Sequence, residues 1–383
     1  MLILVVNCGS SSIKYQVRDM PKSPDGNGGV VVTKGLIENI GTSEVAHHTQ
    51  ALDILAQRLE TELGERTIDA AGHRVVHGGE RFSAPVMVTE DIIQAVEELS
   101  PLAPLHNPAH ALGLRAIQAK WPGMPQVCVF DTAFHRSMPE HAWRYALPEE
   151  LYEKHGVRRY GFHGTSHDFV TGQAADYLGV PRHEFNAVVA HLGNGASVTA
   201  IKDGASYDTS MGFTPLAGLI MGTRSGDFDP SIITAMLRDN PELTAQQVDD
   251  MMNKHSGLQG VAGHSDMREV ADAATSGDPR AELVLTMAAY RLAKYVGAYH
   301  VAVGGAQALI FTAGIGENSA PFRQRVVDRL GALGAVLDPK ANATHSDHVR
   351  RISATDSRLD VLVVPTDEER AIAEATVELV RGQ

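Results

Sequence analysis

The chain has 383 residues, a formal net charge of −13 at pH 7 and a hydrophobic fraction of 43%. This length predicts two domains, each able to form a core, and the negative charge argues against general binding to nucleic acids or anionic membranes. The sequence contains no run of about 18 or more apolar residues, so no membrane span is predicted. The N-terminus lacks the pattern of a secretion signal, and two cysteines give no disulfide framework. We therefore expect a cytoplasmic protein without nucleic-acid or membrane partners.

Predicted strands and helices alternate along the chain. Residues 2–6 form an apolar run, residues 7–12 supply turn chemistry and residues 13–17 alternate between apolar and polar, which predicts a strand, a turn and a second strand. Further strands are predicted at 30–40, 70–79 (entering a loop), 127–130, 187–201 (a second hairpin), 308–311 and 361–364, and helices at 49–63, 90–99, 108–119, 166–178, 232–238, 245–254, 281–303, 322–333 and 371–380. The alternation predicts an α/β fold, with the polar segment 135–161 as the crossing between domains.

Two hairpins resemble each other although they lie far apart in the chain. Residues 194–197 (NGAS) repeat the pattern of residues 7–10 (NCGS), in each case in the turn after an apolar strand. A third Gly-rich loop, 314–318, follows the apolar run 308–311. Backbone N–H groups and hydroxyls in such turns can surround a phosphate, and Lys14 adds a positive charge after the first turn. The repetition indicates two related halves facing one nucleotide, although the first turn alone is equally typical of an ordinary hairpin.

An irregular segment, 208–230, contains a candidate catalytic arginine. The segment is rich in Gly, Thr, Ser and Asp and lacks a regular apolar pattern, which is typical of functional loops. Arg224 within it could clamp a phosphoryl group through its planar guanidinium. Taken alone, however, the segment favours a surface arginine that pairs with Asp227 or Asp229.

Other candidate side chains lie near predicted strand ends. Arg74 stands where a strand enters a loop, and Asp131 ends a buried strand, where ligands bind in α/β sheets, although it could also form a cap or an internal salt bridge. His163 and His167 have the spacing of a zinc helix but lack the Glu of H-E-x-x-H, so His163 is expected to donate to a phosphate instead. The chain contains no P-loop, dinucleotide-binding or nucleophile-elbow pattern.

Six segments together resemble the acetate kinases. They are 7–15 (NCGSSSIKY), 159–167 (RYGFHGTSH), 191–197 (HLGNGAS), 208–229, 312–318 (TAGIGEN) and 365–369 (PTDEE), and the resemblance runs from residue 1 to about residue 375. It implies the sugar kinase/Hsp70/actin superfamily, with two duplicated actin-like ATPase domains whose ribonuclease H-like sheets, flanked by helices, surround a nucleotide cleft. We expect an N-terminal domain at 1–133, a nucleotide-binding and dimer-forming domain at 134–368, and a C-terminal helix at 369–383 that packs back on the first domain.

The resemblance also implies roles for individual residues. The catalytic residues would be Asp131 as the essential carboxylate, His163 and Arg224 as transition-state stabilisers, and Arg74 as a contact to the substrate carboxylate or phosphoryl group. Besides Arg74, the substrate would contact an apolar pocket made of Val76, Leu105, Phe162 and Pro215. The nucleotide would contact Lys14, His191, Leu192, Gly193, Asn194, Gly195, Asp266, Met267, Arg268, Gly314, Ile315, Gly316, Glu317 and Asn318. Asn7 and Glu368 would be the magnesium-associated residues.

Two segments depart from the family pattern. Residues 365–368 are PTDE, where the family usually has Asn before the Glu pair, so Asp367 adds a carboxylate that could strengthen magnesium binding or face water. Residues 260–268 are one residue shorter than usual, which bears on the nucleotide contact expected from Asp266, Met267 and Arg268.

The implied reaction is the reversible transfer of a phosphoryl group from ATP to acetate, giving acetyl phosphate and ADP. The resemblance also implies Mg²⁺ as the cofactor, with Mn²⁺ as a substitute, and a role in acetyl-CoA biosynthesis. Acetate is already ionised at neutral pH, because carboxyl pKa values lie near ~4. Asp131 is therefore expected to orient magnesium or an arginine rather than to accept a proton. The resemblance alone implies a homodimer. Three alternatives remain open: a propionate or butyrate kinase of the same family, an actin- or Hsp70-like ATPase that binds partners, and a metallohydrolase that uses some of the 18 histidines.

Overall fold

The computed structural model describes residues 1–9, 11–21, 28–43, 45–104 and 106–382. Residue contacts divide the chain into two compact units. The first comprises residues 1–136, 164–166 and 367–383, and the second comprises residues 137–163 and 167–366. Within the described residues, none of the helices combines the length and the apolar character that crossing a membrane requires.

Strands and helices alternate in both units. The strands are β1 (Leu2–Cys8), β2 (Ile13–Asp19), β3 (Val30–Ile37), β4 (Ala70–Val75), β5 (Val86–Met87), β6 (Gln126–Phe130), β7 (Ala187–Leu192), β8 (Ala196–Lys202), β9 (Ala205–Thr209), β10 (Ala308–Thr312), β11 (Arg350–Arg351) and β12 (Asp360–Val363). The helices are α1 (His48–Leu63), α2 (Glu90–Glu98), α3 (Asn107–Lys120), α4 (Glu140–Trp143), α5 (Glu149–His155), α6 (Gly164–Leu178), α7 (Ser231–Asp239), α8 (Ala245–Lys254), α9 (Gly257–Ala262), α10 (Met267–Thr275), α11 (Pro279–Ala302), α12 (Ala313–Asn318), α13 (Ala320–Val327), α14 (Pro339–Ala343) and α15 (Glu368–Arg381).

The two sheets have the same topology. The first unit has the strand order β3-β2-β1-β4-β6-β5 and the second has β11-β12-β10-β7-β8-β9. In each sheet, three consecutive strands form an antiparallel meander, and the first strand of the meander also pairs in parallel with a later strand. A second parallel pair and a short antiparallel edge strand complete each sheet. The α/β class and the two related halves are therefore confirmed.

Strand β1 shows why the first sheet is covered on both faces. Its even-numbered apolar residues belong to a core that includes helix α1, whereas Ile3 and Val5 pack with Ile372 and Val377 of α15. Because successive side chains of a strand point to opposite faces, a strand between two helical layers must be apolar at every position. The unbroken apolar run at the start of the chain is the consequence.

Helix α12 replaces the Gly-rich loop that was predicted at 314–318. Glycine is a poor helix former, so the sequence pattern favoured a loop. The helix is stabilised at its C-terminal end by Arg323, whose Nη1 donates to the carbonyl oxygens of Gly316 and Glu317 at 2.8 and 2.9 Å. These carbonyl groups have no partner within a helix end and need one from outside.

Other boundaries differ in ways that local contacts explain. The last helix begins at Glu368 rather than at residue 371, because the side chain of Asp367 accepts a hydrogen bond of 2.9 Å from the N–H of Arg370 and caps it. The helix predicted at 322–333 ends at Val327. The edge strands β5 and β11 were not predicted, since two residues carry no periodicity.

Candidate active site

Three charged side chains of the first unit meet at Arg74. Its Nε and Nη2 donate to Oδ1 and Oδ2 of Asp131 at 3.0 and 2.6 Å, and Nε also lies 3.6 Å from Oε2 of Glu368. The Asp131 side chain is 1% exposed and the Arg74 side chain is 23% exposed. A bidentate pair fixes both the position and the plane of a guanidinium. The structure thus brings three predicted site residues together, and Asp131 does form an internal salt bridge.

Neighbouring parallel strands place Arg74 and Asp131 side by side. Val75 and Phe130, the last residues of β4 and β6, lie opposite each other, and the N–H of Asp131 donates to the carbonyl oxygen of Val75 at 2.9 Å. The carbonyl oxygen of Asp131 accepts a hydrogen bond of 2.8 Å from the N–H of Gly164. A Cβ at Gly164 would collide with that oxygen, so this close approach requires glycine.

The environment keeps the Arg74 guanidinium charged. Burial alone would lower the pKa of Arg74, but the negative charges of Asp131 and Glu368 outweigh it, and the net pKa lies above the ordinary arginine value. A guanidinium has five N–H donors, so the pair with Asp131 uses only part of its capacity. Arg74 can therefore bind an anionic substrate while Asp131 holds it in place.

Lys14, predicted to contact a nucleotide phosphate, pairs with Glu369 of α15. The Lys14 side chain is 60% exposed. Burial would raise the pKa of Glu369, but the hydrogen bond and the charge of Lys14 lower it more strongly, and the net pKa lies below the ordinary glutamate value. A phosphate that binds Lys14 would therefore have to share it with an ionised carboxylate.

Three histidines of the second unit surround Ser197. Nδ1 of His163 and Nε2 of His167 lie 2.9 and 2.8 Å from the hydroxyl oxygen of Ser197. The rings of His163 and His191 stack with 4.3 Å between centroids and 20° between planes. His163 itself has φ 58° and ψ 22° at the N-cap of α6, a left-handed conformation that costs energy in a non-glycine residue. Such strain persists only where surrounding contacts determine it, as they do here.

Arg224 and His163 approach the same glycine from the same side. A Cβ on Gly195 would lie 3.2 Å from Nη2 of Arg224 and 3.6 Å from Nε2 of His163. Nη1 of Arg224 donates to the carbonyl oxygen of Pro215 at 2.8 Å, and burial lowers the pKa of Arg224. Two cationic or potentially cationic donors therefore converge beside the turn between β7 and β8.

The alternative pairing of Arg224 with Asp227 is not what the structure shows. Asp227 instead accepts hydrogen bonds from the N–H of Gly218 at 2.7 Å and from the hydroxyl of Tyr295 at 2.5 Å. These contacts use Asp227 to hold the irregular segment against helix α11. The guanidinium of Arg224 is fixed by a backbone carbonyl, so its charge is not neutralised by that carboxylate.

An apolar pocket in the second unit gathers residues from three of the predicted nucleotide segments. Leu192, Gly193, Met267 and Ile315 line it, together with side chains from α11 and neighbouring segments. Ligand pockets are typically apolar with a few polar groups at their margins. The pocket thus brings residues of these three segments together in the second unit.

Asp266 and Arg268, predicted to contact the nucleotide as well, make a local pair. Asp266 caps α10 by accepting from the N–H of Arg268 at 2.8 Å, and its Oδ2 lies 2.6 Å from Nη2 of Arg268. The hydrogen bonds from the side chain and then the backbone of Arg268 hold the pKa of Asp266 at about 2. The Arg268 side chain is 88% exposed, so its nucleotide contact stays a prediction.

The remaining predicted nucleotide residues lie in two motifs. Gly314, Gly316, Glu317 and Asn318 belong to α12, where Oε1 of Glu317 accepts from the N–H of Thr366 at 3.1 Å. The carbonyl oxygen of Asn194, in the turn before β8, accepts from the N–H of Gly222 at 3.0 Å. Both motifs are therefore tied to neighbouring loops of the second unit.

The predicted acyl pocket is only partly described. Val76 and Phe162 are buried, and Pro215 uses its carbonyl oxygen to hold Arg224. Leu105 lies outside the described residues. Val76 directly follows β4, which ends at Val75, so its place in an acyl pocket stays a prediction.

The predicted magnesium residues both belong to the first unit. Asn7 follows Val6, which lies opposite His73 in the β1–β4 ladder, and Glu368 lies near Arg74, the residue after His73. Among the residues that the structure describes, no group of three or more His, Cys, Asp or Glu is arranged for a metal ion. Mg²⁺ usually keeps several waters and takes one or two protein carboxylates plus substrate phosphates. The amide oxygen of Asn7 and the carboxylate of Glu368 fit this sparse ligation.

The site contains contacts that the sequence did not predict. Ser197 joins two histidines. The sequence held an indication of its importance, because Ser197 is the last residue of the repeated NGAS pattern. Glu369 pairs with Lys14. It lies in the PTDEE motif, but the motif alone does not predict which basic residue pairs with Glu369. Arg323 gave no signal, since it lies inside a predicted helix and nothing in the pattern indicates that its side chain is buried and donates to α12.

Comparisons with known proteins cover the chain from end to end. The model of the Acetokinase family matches residues 2–374. The acetate kinase of Kocuria rhizophila is 67% identical, over 99% of this chain and 98% of its own length. Among solved structures, the acetate kinase of Porphyromonas gingivalis matches with a TM-score of 0.93 at 44% identity, covering 99% of both chains. A propionate kinase from Francisella tularensis matches with a TM-score of 0.90 at 41% identity, covering 98% of this chain and 99% of its own.

Proposed function

Because the chain belongs to the acetokinase family, we propose that it transfers a phosphoryl group reversibly between ATP and acetate. In the forward direction an acetate oxygen forms a bond to the γ-phosphorus, the bond to the bridging oxygen of ADP breaks, and acetyl phosphate is released. The observation that best supports this function is the convergence of Arg224 and His163 on Gly195. Donors placed in this way suit the equatorial oxygens of a transferring phosphoryl group.

The acceptor needs binding and orientation rather than deprotonation. Acetate is a carboxylate at neutral pH, since such groups have pKa values near ~4. The guanidinium of Arg74 is charged and is held by Asp131 in a fixed plane. We assign Arg74 to the acetate carboxylate or the phosphoryl group, and Asp131 to positioning Arg74. Catalysis then consists of alignment and of neutralising the charge on the phosphoryl oxygens.

The nucleotide is proposed to use the second unit for its base and phosphates. The apolar pocket at Leu192, Met267 and Ile315 would take the adenine ring, and the backbone of the turn at 193–195 would face the phosphates. Asn7 and Glu368 would hold Mg²⁺. When bound, the ion neutralises phosphate charge and fixes the geometry of the β- and γ-phosphates.

A homodimer is proposed as the assembled state. Helix α11 carries Leu283, Met287 and Tyr290 at helical spacing, and they are 53%, 37% and 58% exposed. An apolar stripe of this kind is typical of an interface. Sedimentation of the purified protein tests the state, and a monomer at micromolar concentration would contradict it. A cytoplasmic location is also proposed, since the buried Cys8 and Cys128 are both free thiols.

Trapping acyl phosphate as a hydroxamate tests the reaction directly. The purified protein is incubated with ATP, Mg²⁺ and hydroxylamine, and acetate, propionate and butyrate are compared in parallel, with ATP omitted as the control. We expect the highest kcat/KM for acetate. A higher value for propionate would identify a propionate kinase, and ATP hydrolysis without hydroxamate from any acid would favour a partner-binding ATPase.

A further inference from the structure

Ser197 joins two histidines through a single hydroxyl group. It is fully buried on β8, and its Oγ lies 2.9 Å from Nδ1 of His163 and 2.8 Å from Nε2 of His167. In the β7–β8 hairpin, Ser197 lies directly opposite His191, whose ring stacks on His163. One hairpin therefore fixes the His163 ring twice, by stacking on its face and by a hydrogen bond at Nδ1.

When both rings are neutral and the hydroxyl donates its hydrogen to one of them, two arrangements of the hydrogens are possible. A serine hydroxyl has one hydrogen to donate, and a neutral imidazole carries one N–H. In the first arrangement, Nε2–H of His167 donates to Oγ and the hydroxyl donates to Nδ1 of His163, so His163 carries its proton on Nε2. In the second arrangement both bonds run the other way, and His163 carries its proton on Nδ1.

The direction of Nε2 decides which arrangement suits phosphoryl transfer. Nε2 of His163 lies on the side of Gly195 where Nη2 of Arg224 also lies. With the proton on Nε2, His163 donates towards that space, as a phosphoryl oxygen requires. With the proton on Nδ1, Nε2 would present a lone pair to a negatively charged oxygen. The backbone of His163 is strained at φ 58°, which is consistent with a ring whose direction matters.

We propose that Ser197 is a positioning residue that holds His163 in the Nε2–H tautomer, with His167 as the donor that orients the serine hydroxyl. This inference rests on the proposed contact of His163 with the transferring phosphoryl group. Ser197 contacts neither substrate, and it acts through Nδ1 of His163. The relation resembles other second partners of catalytic histidines, in which a bond to one ring nitrogen sets the proton on the other.

A double-mutant cycle tests whether Ser197 acts through His163. Ser197→Ala, His163→Ala and the double variant are assayed with saturating ATP and acetate. We expect Ser197→Ala to lower kcat about tenfold, the usual equivalent of one lost hydrogen bond, with little change in KM for ATP. In the His163→Ala background the same substitution should have no further effect, because the group on which it acts is gone.

Thr199→Val is the matched control. Thr199 lies two residues further along β8 on the same face, is fully buried, and makes a 2.9 Å hydroxyl contact to Thr209. Removing this hydroxyl costs one buried hydrogen bond in the same strand. We expect it to lower the melting temperature about as much as Ser197→Ala does, with kcat unchanged.

The outcomes separate this inference from the proposed function. If His163→Ala turns over normally, the role of His163 fails, and the inference fails with it. If His163→Ala is impaired but Ser197→Ala is not, or if Ser197→Ala lowers kcat equally in both backgrounds, only the inference fails. A measurement on the wild-type protein avoids any folding defect: imidazole ¹⁵N spectra should show His163 protonated at Nε2, and an Nδ1–H tautomer would overturn the inference.

Discussion

The pair between Arg74 and Asp131 makes the sharpest prediction about the first unit. Asp131→Asn keeps the size and shape of the side chain but removes its charge. The amide offers one acceptor oxygen where the carboxylate offers two, so the bidentate pair with the guanidinium is lost. Arg74 keeps a more distant carboxylate, because Glu368 lies 3.6 Å from its Nε. We therefore expect a guanidinium that is still charged but no longer fixed in its plane.

The size of the stability loss follows from burial. Removing one partner of a buried ion pair typically costs about 3–5 kcal/mol, and an exposed pair contributes about 0–1 kcal/mol. The Asp131 side chain is 1% exposed and the Arg74 side chain 23% exposed. With Glu368 giving partial compensation, we expect a loss of about 2–3 kcal/mol. For a unit of this size, each kcal/mol of lost stability lowers the melting temperature by about 2–4 °C. The melting temperature of the first unit should therefore fall by about 5–10 °C.

The activity loss should appear in both kinetic constants. A charge-assisted hydrogen bond contributes about 1.5–3 kcal/mol, so kcat/KM for acetate should fall about 10- to 100-fold, with a raised KM. The surface pair between Arg81 and Glu98 provides the control. Its atoms lie 3.0 Å apart, and its side chains are 56% and 57% exposed. Glu98→Gln should change neither the melting temperature by more than about 1–2 °C nor the kinetics.

The same measurements separate positioning from proton transfer. The melting temperature should fall in either case, because the buried ion pair is lost. If Asp131 served as an acid or base, its amide variant would lose kcat while the KM for acetate stayed close to wild type. If Asp131 positions Arg74, KM and kcat change together, so a variant that keeps the wild-type KM but loses kcat would refute the positioning role.

Three further substitutions test the other assignments. Arg224→Ala should lower kcat about 10²–10³-fold without unfolding the protein, because one preorganised donor is lost, and near-normal turnover would contradict its role. Glu368→Gln should raise the Mg²⁺ concentration needed for half-maximal activity while leaving metal-free ADP affinity unchanged, and an unmoved midpoint would exclude it as a ligand. Val76→Ala should raise the propionate-to-acetate ratio of kcat/KM roughly tenfold, whereas an unchanged ratio with a lower melting temperature would place Val76 in the core.

Features with a strong local pattern were predictable from the sequence. The first strand could be predicted because a strand covered on both faces is apolar on both, as β1 is from Leu2 to Val6. The similarity of the two halves could be predicted because the NGAS and NCGS turns serve the same position in equivalent sheets. Arg74 and Asp131 could be named as candidates because ligand groups in α/β sheets lie at the carboxyl ends of strands.

Features set by distant contacts were not predictable. Helix α12 contains two glycines and is stabilised from Arg323, several residues later in the chain. The bond between Ser197 and His163 joins positions 34 residues apart, and no periodicity connects them. The end of β4 at Val75 shows a second limit, because a strand pattern does not mark the residue at which pairing stops.

Asp131 and Glu368 both contact Arg74, and they follow the equivalent strands β6 and β12. Asp131 directly follows β6 and meets Arg74 on the neighbouring strand β4. Glu368 follows β12 of the second sheet, yet residues 367–383 belong to the first unit by their contacts. The last strand of the second sheet ends at Val363. Asp367 then caps α15, and it accepts a hydrogen bond of 2.8 Å from Arg18 of β2, which holds the start of the helix against the first sheet. Glu368 and Glu369 are then the first residues of that helix, where negative charge is favoured. The start of α15 thus brings one carboxylate to Arg74 and the next to Lys14. The acidic PTDEE motif therefore meets two cations of the first unit that lie more than 290 residues earlier in the chain.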